Sequence, residues 1–474
     1  MIAQPTAALD VRARFDEQRR GYLAESYPSA ATRIARLNAL ERAIRRRRGE
    51  IASALGADFR KAPEEVEISE IRPTLDELGF ARKRLVRWMR PRRVPTPPIL
   101  FGAASEVRYE PKGVVLILAP WNYPFYLVMA PLIAAIAAGD RAIVRPSEKV
   151  PHVREVMAAI VAEAFAPAEV ALVGGEVDTA EALLALPFDH FFFTGSARVG
   201  KHVMHAAAEH LASVTLELGG KSPAIVEADA DLTLAARRIA WGKFLNDGQT
   251  CVAPDYVLVH QRVARPFIER MGASVAGMFG PTEDARAASS DLTRLVDVAA
   301  FDRLAEVLAQ TTSSGARLEL GGRLERTTRY IAPTVLSDVA YDAPIMREEI
   351  FGPILPVLPY DSLDAALAFV RSRPKPLALY AFSRSHRSAE RILAATSAGG
   401  SAVNDVVMHL ANPYLPFGGV GASGMGSYHG EYGFRTFSHE RAVLRQTPFS
   451  LAPLLYPPYT RRTRRMLAVI DRFL

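Results

Sequence analysis

Val114-Val115-Leu116-Ile117-Leu118-Ala119-Pro120-Trp121-Asn122-Tyr123-Pro124 begins a rhythm that continues to Leu218. An uncharged apolar run of strand length ends in a turn, and residues 125–138 then have the composition of a buried helix. The pattern repeats, with strands expected at 141–144, 170–173, 190–193 and 214–218 and helices at 150–165, 179–186 and 199–210. Short apolar strands alternating with helices require right-handed crossovers. The expected fold is therefore α/β, with a Rossmann-type parallel sheet covered on both faces. Residues 114–139 hold no charged side chain and exceed the ~20 residues of a membrane span. Pro120, Pro124 and Pro131 would leave backbone groups unpaired in lipid, so a strand, a turn and a core helix explain the run better, and no transmembrane segment is expected.

In such a sheet, ligands sit beyond the carboxyl ends of the strands. The residues there include Trp121-Asn122, Arg145-Pro146-Ser147-Glu148, Thr194-Gly195-Ser196 and Glu217-Leu218-Gly219-Gly220. The run from Thr194 to Gly200 reads as strand end, glycine turn and helix start, where backbone N–H groups and the helix dipole can hold phosphate. It lacks the full G-x-G-x-x-G pattern, so an ordinary strand-to-helix turn is an equal reading. Glu148 can accept hydrogen bonds from ribose hydroxyls, or pair with Arg145 as a surface cap. Asn122 is an amide in an uncharged run and costs about 1–3 kcal/mol if unpaired. Its NH2 can stabilise an oxyanion, an effect of roughly 2.7–4 kcal/mol per donor. Glu217 is either an exposed strand-end acid or a general base with a raised pKa.

The only cysteine, Cys251, closes Asn246-Asp247-Gly248-Gln249-Thr250-Cys251, between an apolar segment containing Trp241 and the strand-like run from Tyr256. A lone Cys is ordinarily a small buried hydrophobe. A thiol on a small-residue turn between two ordered elements can instead have N–H groups aimed at it, as an activated nucleophile requires. The candidate base and amide at the strand ends favour the nucleophile.

With 474 residues, the chain exceeds a single core, which stops growing near ~250–300 residues. One cysteine excludes an intrachain disulfide and suits a reducing compartment, and the amino terminus lacks the layout of a signal peptide, so a cytoplasmic location is expected. The net charge of +7 concentrates in residues 45–48, 82–93 and 461–465. Such clusters can bind nucleic acid or anionic lipid but are more often solvated faces and helix ends, and no nucleic-acid partner is expected.

Upstream, helices are expected at 32–48 and 64–89, the second kinked at Pro73, with a linker at 91–104 and a strand at 106–110. Downstream lies a second α/β unit, with helices at 232–245, 263–278 and 295–311 and strands at 256–259, 317–320, 353–358 and 377–382.

Trp121-Asn122-Tyr123-Pro124, Pro146-Ser147-Glu148, Phe193-Thr194-Gly195-Ser196, Glu217-Leu218-Gly219-Gly220-Lys221, Gly248-Gln249-Thr250-Cys251, Glu348-Glu349-Ile350-Phe351-Gly352-Pro353 and the run from Pro416 to Gly426 stand in the order seen in aldehyde dehydrogenases. The resemblance spans nearly the whole chain. Val403-Asn404-Asp405 and Ser427-Tyr428-His429-Gly430 are similar to the class 3 branch, which includes fatty, aromatic and coniferyl aldehyde dehydrogenases. It implies a dinucleotide-binding domain over 1–90 and 107–218, a catalytic domain over 219–405, and bridging or oligomerisation segments at 91–106 and 406–474 of a homodimer. It further implies that Cys251 attacks an aldehyde, that Asn122 and the Cys251 N–H hold the oxyanion, and that Glu217 activates the water that hydrolyses a thioester. NAD or NADP would be held by Trp121, Arg145, Glu148, Gly195, Ser196, Gly200, Leu218, Gly219, Glu349 and Phe351. No metal site is expected.

One departure is Arg145, where the family usually has Lys. A guanidinium suits a 2′-phosphate, so NADP+ is expected to serve at least as well as NAD+. Tyr123, Trp241, Tyr256 and His429 are the candidate substrate-binding residues and favour medium- or long-chain aliphatic or aromatic aldehydes. Residues 454–460 and the basic segment after them suit contact with a partner subunit, and leave peripheral membrane contact open. The alternatives are release of the acyl group to coenzyme A and a non-catalytic relative; intact Glu217 and Cys251 weigh against both.

Overall fold

The structure is a computed structural model and describes residues 6–450, 453 and 456–470. Five parallel strands, Val114–Leu118, Arg141–Arg145, Val170–Leu172, His190–Thr194 and Ser213–Glu217, form the expected sheet. Their side chains alternate between two cores. Val115 and Ile117 pack with helices Ala30–Arg46, Arg72–Trp88, Tyr126–Ala138 and Pro151–Ala164. Val114, Leu116 and Leu118 pack with Val11 and Phe15 of helix Thr6–Ala24, and with helices Val177–Leu184 and Ala197–Glu209. The chain's first strand of this sheet lies between the second and the fourth. The topology therefore reverses between Val114–Leu118 and His190–Thr194, and the crevice beyond that point opens beside Trp121-Asn122 and Gly195-Ser196.

Helix Tyr126–Ala138, the one that imitates a membrane span, is fixed at both ends by buried charges. Glu70 accepts the N–H groups of Phe125 (3.1 Å) and Tyr126 (2.9 Å) at its start. Arg33, fully buried, donates to the carbonyls of Ala137 (3.0 Å) and Ala138 (2.5 Å) at its end. The carboxylate meets the positive end of the helix dipole and the guanidinium the negative end. Among the described residues no helix is long and apolar enough to cross a membrane.

The kink expected at Pro73 is resolved by a π turn. Helix Pro63–Val66 passes through the π-helical residues Glu67–Ile71 into helix Arg72–Trp88. The wider turn before Pro73 accommodates its missing N–H. The expected linker at 91–104 instead contains strand Arg92–Val94, which pairs with Ala104–Pro111; that strand pairs along its whole length with Ser438–Arg445. The sequence of the last strand, Ser-His-Glu-Arg-Ala-Val-Leu-Arg, is too charged to show a strand pattern. Ala104–Pro111 straddles the domain boundary expected at 106/107, and Gly424–Met425, expected in a bridging segment, is the antiparallel edge of the first sheet.

The second sheet has seven strands: Arg317–Leu320, Thr334–Ser337, Ile354–Tyr360, Tyr256–His260, Pro223–Val226, Ala378–Phe382 and Gly400–Val403, in that spatial order. Only Arg317–Leu320 runs antiparallel. Three strands escape the sequence pattern: Pro223–Val226, Thr334–Ser337 and Gly400–Val403 have four residues each and start or end on Pro, Thr, Ser or Gly. Leu454 and Leu455 of the expected docking tail lie outside the described residues; Tyr456 and Tyr459 are exposed, and Arg461–Ile470 is helical.

Arg33→Met would orphan the carbonyls at the end of helix Tyr126–Ala138. Each lost charged hydrogen bond costs about 1.5–3 kcal/mol, so the urea midpoint of the ligand-free protein is expected to fall clearly below that of wild type.

Candidate active site

Helix Leu232–Phe244 delivers the chain to the cysteine turn. Asn246 (φ 53°) and Asp247 (φ 55°) then take the left-handed conformation, which Asn and Asp tolerate better than other side chains. Side-chain amides lock the turn. Asn246 Nδ2 donates to the carbonyls of Asn122 (2.8 Å) and Gln249 (3.1 Å). Gln249 Nε2 donates to the Asn246 and Arg294 carbonyls, while its Oε1 accepts the Val296 N–H at 2.9 Å. Asn122 Nδ2 donates to the Gln249 carbonyl at 3.0 Å. The amide predicted to need a partner has one, and its second N–H has no acceptor among the described residues.

Cys251 lies half-buried on the wall of a cavity of about 750 Å³. Burial, then Glu349, then Glu217, push the thiol pKa up, opposed by the N–H groups of Cys251 and Val252. The thiol is therefore protonated in the ligand-free protein, and its activation awaits a change in those surroundings. Glu217, at the end of strand Ser213–Glu217, is buried with both carboxyl oxygens unpartnered. Burial raises its pKa well above the ordinary carboxyl value.

Glu349 lies against the glycine pair. A Cβ on Gly219 would fall 1.9 Å from Glu349 Oε2, so only glycine allows the carboxylate to approach. Burial and then Asp255 raise the Glu349 pKa to about 8, opposed by the Gly220 N–H, Lys221 and Lys243. Phe351 (φ 51°) sets its ring edge-on to Trp121, with centroids 5.4 Å apart. At the switch point, Gly195 N–H donates to the Glu217 carbonyl (3.0 Å), and Ser196 caps helix Ala197–Glu209. Gly200 packs on Leu218, and the buried Thr194 hydroxyl has no partner. A glycine-paved row and an orphan hydroxyl at the switch point fit a dinucleotide. Arg145 and Glu148 are not independent: the guanidinium forms an ion pair with Glu148 (2.9 Å) and donates to the carbonyls of Gly175 and Glu176 (3.2 Å each).

Tyr123, Trp241 and His429 line the cavity. Tyr256 does not: it is buried in the second sheet's core, edge-on to Phe369 at 5.9 Å. Closeness in sequence to Cys251 misplaces it, because the strand it opens turns its ring away from the cavity. The structure adds contacts around His429 and Gly430. Tyr126 hydrogen-bonds His429 (3.0 Å), Phe417 stacks on His429 (5.1 Å), and Glu77 accepts the Gly430 N–H (2.7 Å).

Residues 4–443 match the model of the aldehyde dehydrogenase family. The chain is 45% identical to the 4,4′-diaponeurosporen-aldehyde dehydrogenase of Staphylococcus aureus, covering 90% of this chain and 92% of that one. It is 42% identical to a probable coniferyl aldehyde dehydrogenase of Pseudomonas aeruginosa over 96% of this chain and 95% of that one. A substrate-bound structure of Staphylococcus aureus AldH superposes with a TM-score of 0.93 at 42% identity, covering 97% of this chain and 99% of that one. An NAD+ complex of a Bacillus cereus aldehyde dehydrogenase superposes with a TM-score of 0.83 at 27% identity, covering 93% and 89%. A strand-end crevice fit for a dinucleotide, a thiol at an apolar cavity and near-complete coverage of these relatives converge on one conclusion: the chain belongs to the aldehyde dehydrogenase family and is an NAD(P)-dependent aldehyde dehydrogenase.

Proposed function

We propose that the chain oxidises medium- or long-chain aliphatic or aromatic aldehydes to carboxylic acids through a thioacyl intermediate on Cys251. The observation that carries this reading is the buried carboxyl of Glu217, which has no partner on either oxygen and acts electrostatically on the Cys251 thiol. The cavity takes a bulky apolar tail, with Tyr123, Trp241 and Phe417 among its walls. Cys251 loses its thiol proton to solvent and attacks the carbonyl carbon as the thiolate. The resulting oxyanion accepts hydrogen bonds from the Cys251 N–H and from the free N–H of Asn122. The dinucleotide, when bound, would accept the hydride that the collapsing oxyanion expels from that carbon, which leaves a thioester on Cys251. Glu349 and Phe351 would hold its nicotinamide end, Gly195 and Ser196 its phosphates, and the Arg145–Glu148 pair its adenosine ribose. Glu217 then takes a proton from water, which adds to the thioester carbon and restores the Cys251 thiol as the acid leaves.

The first sheet serves as the dinucleotide-binding body and the second carries the nucleophile. The chain acts in the cytoplasm as a homodimer; the outer edge of strand Ser438–Arg445, with no neighbour among the described residues, suits the pairing. Because Arg145 and Glu148 form a neutralised pair, the site accepts both NAD+ and NADP+.

Cys251→Ala is expected to lower kcat/KM for hexanal and benzaldehyde by at least about 10³-fold while NADH still binds. Glu217→Gln keeps the first turnover but slows the steady state by about 10²–10⁴-fold, read as a retained NAD(P)H burst. Coenzyme A leaves the wild-type rate unchanged. Glu349, near 8 when buried, and the raised thiol and Glu217 all lose their protons only as pH rises. Activity therefore increases from about pH 7 to about pH 9, seen in a kcat profile. Glu148→Gln frees Arg145, and the kcat/KM ratio of NADP+ to NAD+ rises about tenfold, matched by tighter NADPH binding in fluorescence titration.

A further inference from the structure

Three charged side chains buried beneath the site take no part in the chemistry above: Lys61, Glu65 and Glu70. Lys61 Nζ donates to Glu70 Oε1 at 2.9 Å, both side chains being fully buried, and the ammonium stands 4.5 Å from the centre of the Tyr123 ring. Glu70 Oε2 accepts the Phe125 and Tyr126 N–H groups, which ties it to the turn that carries Asn122. Glu65 is tied to the other turn. Its Oε1 accepts the Asn246 N–H at 3.0 Å, and its Oε2 accepts the Thr293 hydroxyl at 3.2 Å. Asn246 in turn bonds the Asn122 and Gln249 carbonyls. One short segment, from Lys61 to Glu70, thus reaches both loops that bring donors to the thiol.

Stability alone does not account for this arrangement. Burying an ion costs several kcal/mol, and apolar residues of similar volume often serve a core as well or better. What the carboxylates provide is directional bonding to backbone N–H groups on two separate loops, which apolar packing cannot supply. We propose that Glu65 is a positioning residue for aldehyde oxidation: through the Asn246 N–H it fixes the Cys251 turn against the Asn122 loop, which Glu70 fixes from the same segment. The proposal rests on the reading that Asn122 and the Cys251 N–H hold the oxyanion. The requirement is for reach rather than charge. Gln at position 65 keeps both contacts, accepting from Asn246 and donating to the Thr293 oxygen, whereas Asp is one methylene too short to span them.

Glu65→Gln, Glu65→Asp and Thr293→Val are compared with wild type in three measurements: single-turnover NAD(P)H formation with benzaldehyde, NADH dissociation constants by fluorescence, and alkylation of Cys251 by iodoacetamide without cofactor. Glu65→Gln stays within about threefold of wild type throughout. Glu65→Asp slows the single turnover by about 10–100-fold, with NADH binding and alkylation within about threefold, as a displacement near 1 Å would do. Thr293→Val slows it by about 3–10-fold and carries the test should Glu65→Asp not fold. The proposal is overturned if Glu65→Asp, or in its place Thr293→Val, turns over like wild type. It is equally overturned if Gln is as slow as Asp, or if turnover, alkylation and NADH binding fall together. A wild type that oxidises no aldehyde would instead remove the underlying functional reading.

Discussion

The Gln249 carbonyl accepts hydrogen bonds from the side-chain amides of both Asn122 and Asn246, and the site depends on this junction. Asn122 follows the central strand of the first sheet, and Asn246 follows the helix that leads to the second sheet's Tyr256–His260 strand. One oxygen thus joins the two halves of the chain a short step from the nucleophile. A buried carbonyl with two donors is fully satisfied, and neither amide can swing away without leaving a polar group unpaired at about 1–3 kcal/mol. Asn122 is consequently held with one N–H committed and the other free.

The electrostatics of the site follow from apolar burial. Cys251, Glu217 and Glu349 each have the pKa raised first by desolvation. Glu349 and Glu217 also oppose ionisation of the thiol, so the groups release protons as a coupled set and not as independent acids. A resting enzyme with a neutral thiol is protected from oxidation and adventitious acylation, since the thiolate is the reactive form. The N–H groups of Cys251 and Val252 already favour the anion once one is made.

Much of this was legible in the sequence because the signals were local. Strand Val114–Leu118 is an uninterrupted apolar run, and the Trp121-Asn122 turn after it stands out by contrast. Asn122 and Glu217 fall where an α/β sheet places a ligand, and Cys251 lies on the turn between helix Leu232–Phe244 and strand Tyr256–His260. Contacts between segments distant in sequence were not legible. Glu65 reads as one more acid on an amphipathic helix, and nothing in its neighbourhood announces Asn246, which lies 181 residues away. The reverse error befell Tyr256, near Cys251 in sequence but turned into another core. For Arg145 and Glu148 the sequence allowed either ligand contacts or a charge pair, and the structure holds the pair.

The central claim is that the acyl group resides on Cys251 until Glu217 activates water. The most direct measurement is mass spectrometry of Glu217→Gln enzyme quenched in acid after mixing with NAD+ and an aldehyde, followed by peptide mapping. A mass increase equal to one acyl group, confined to the peptide from Phe244 to Arg262 and discharged by hydroxylamine, is the expected result. An acyl group on any other peptide, or a burst of NADH with no adduct, would contradict it.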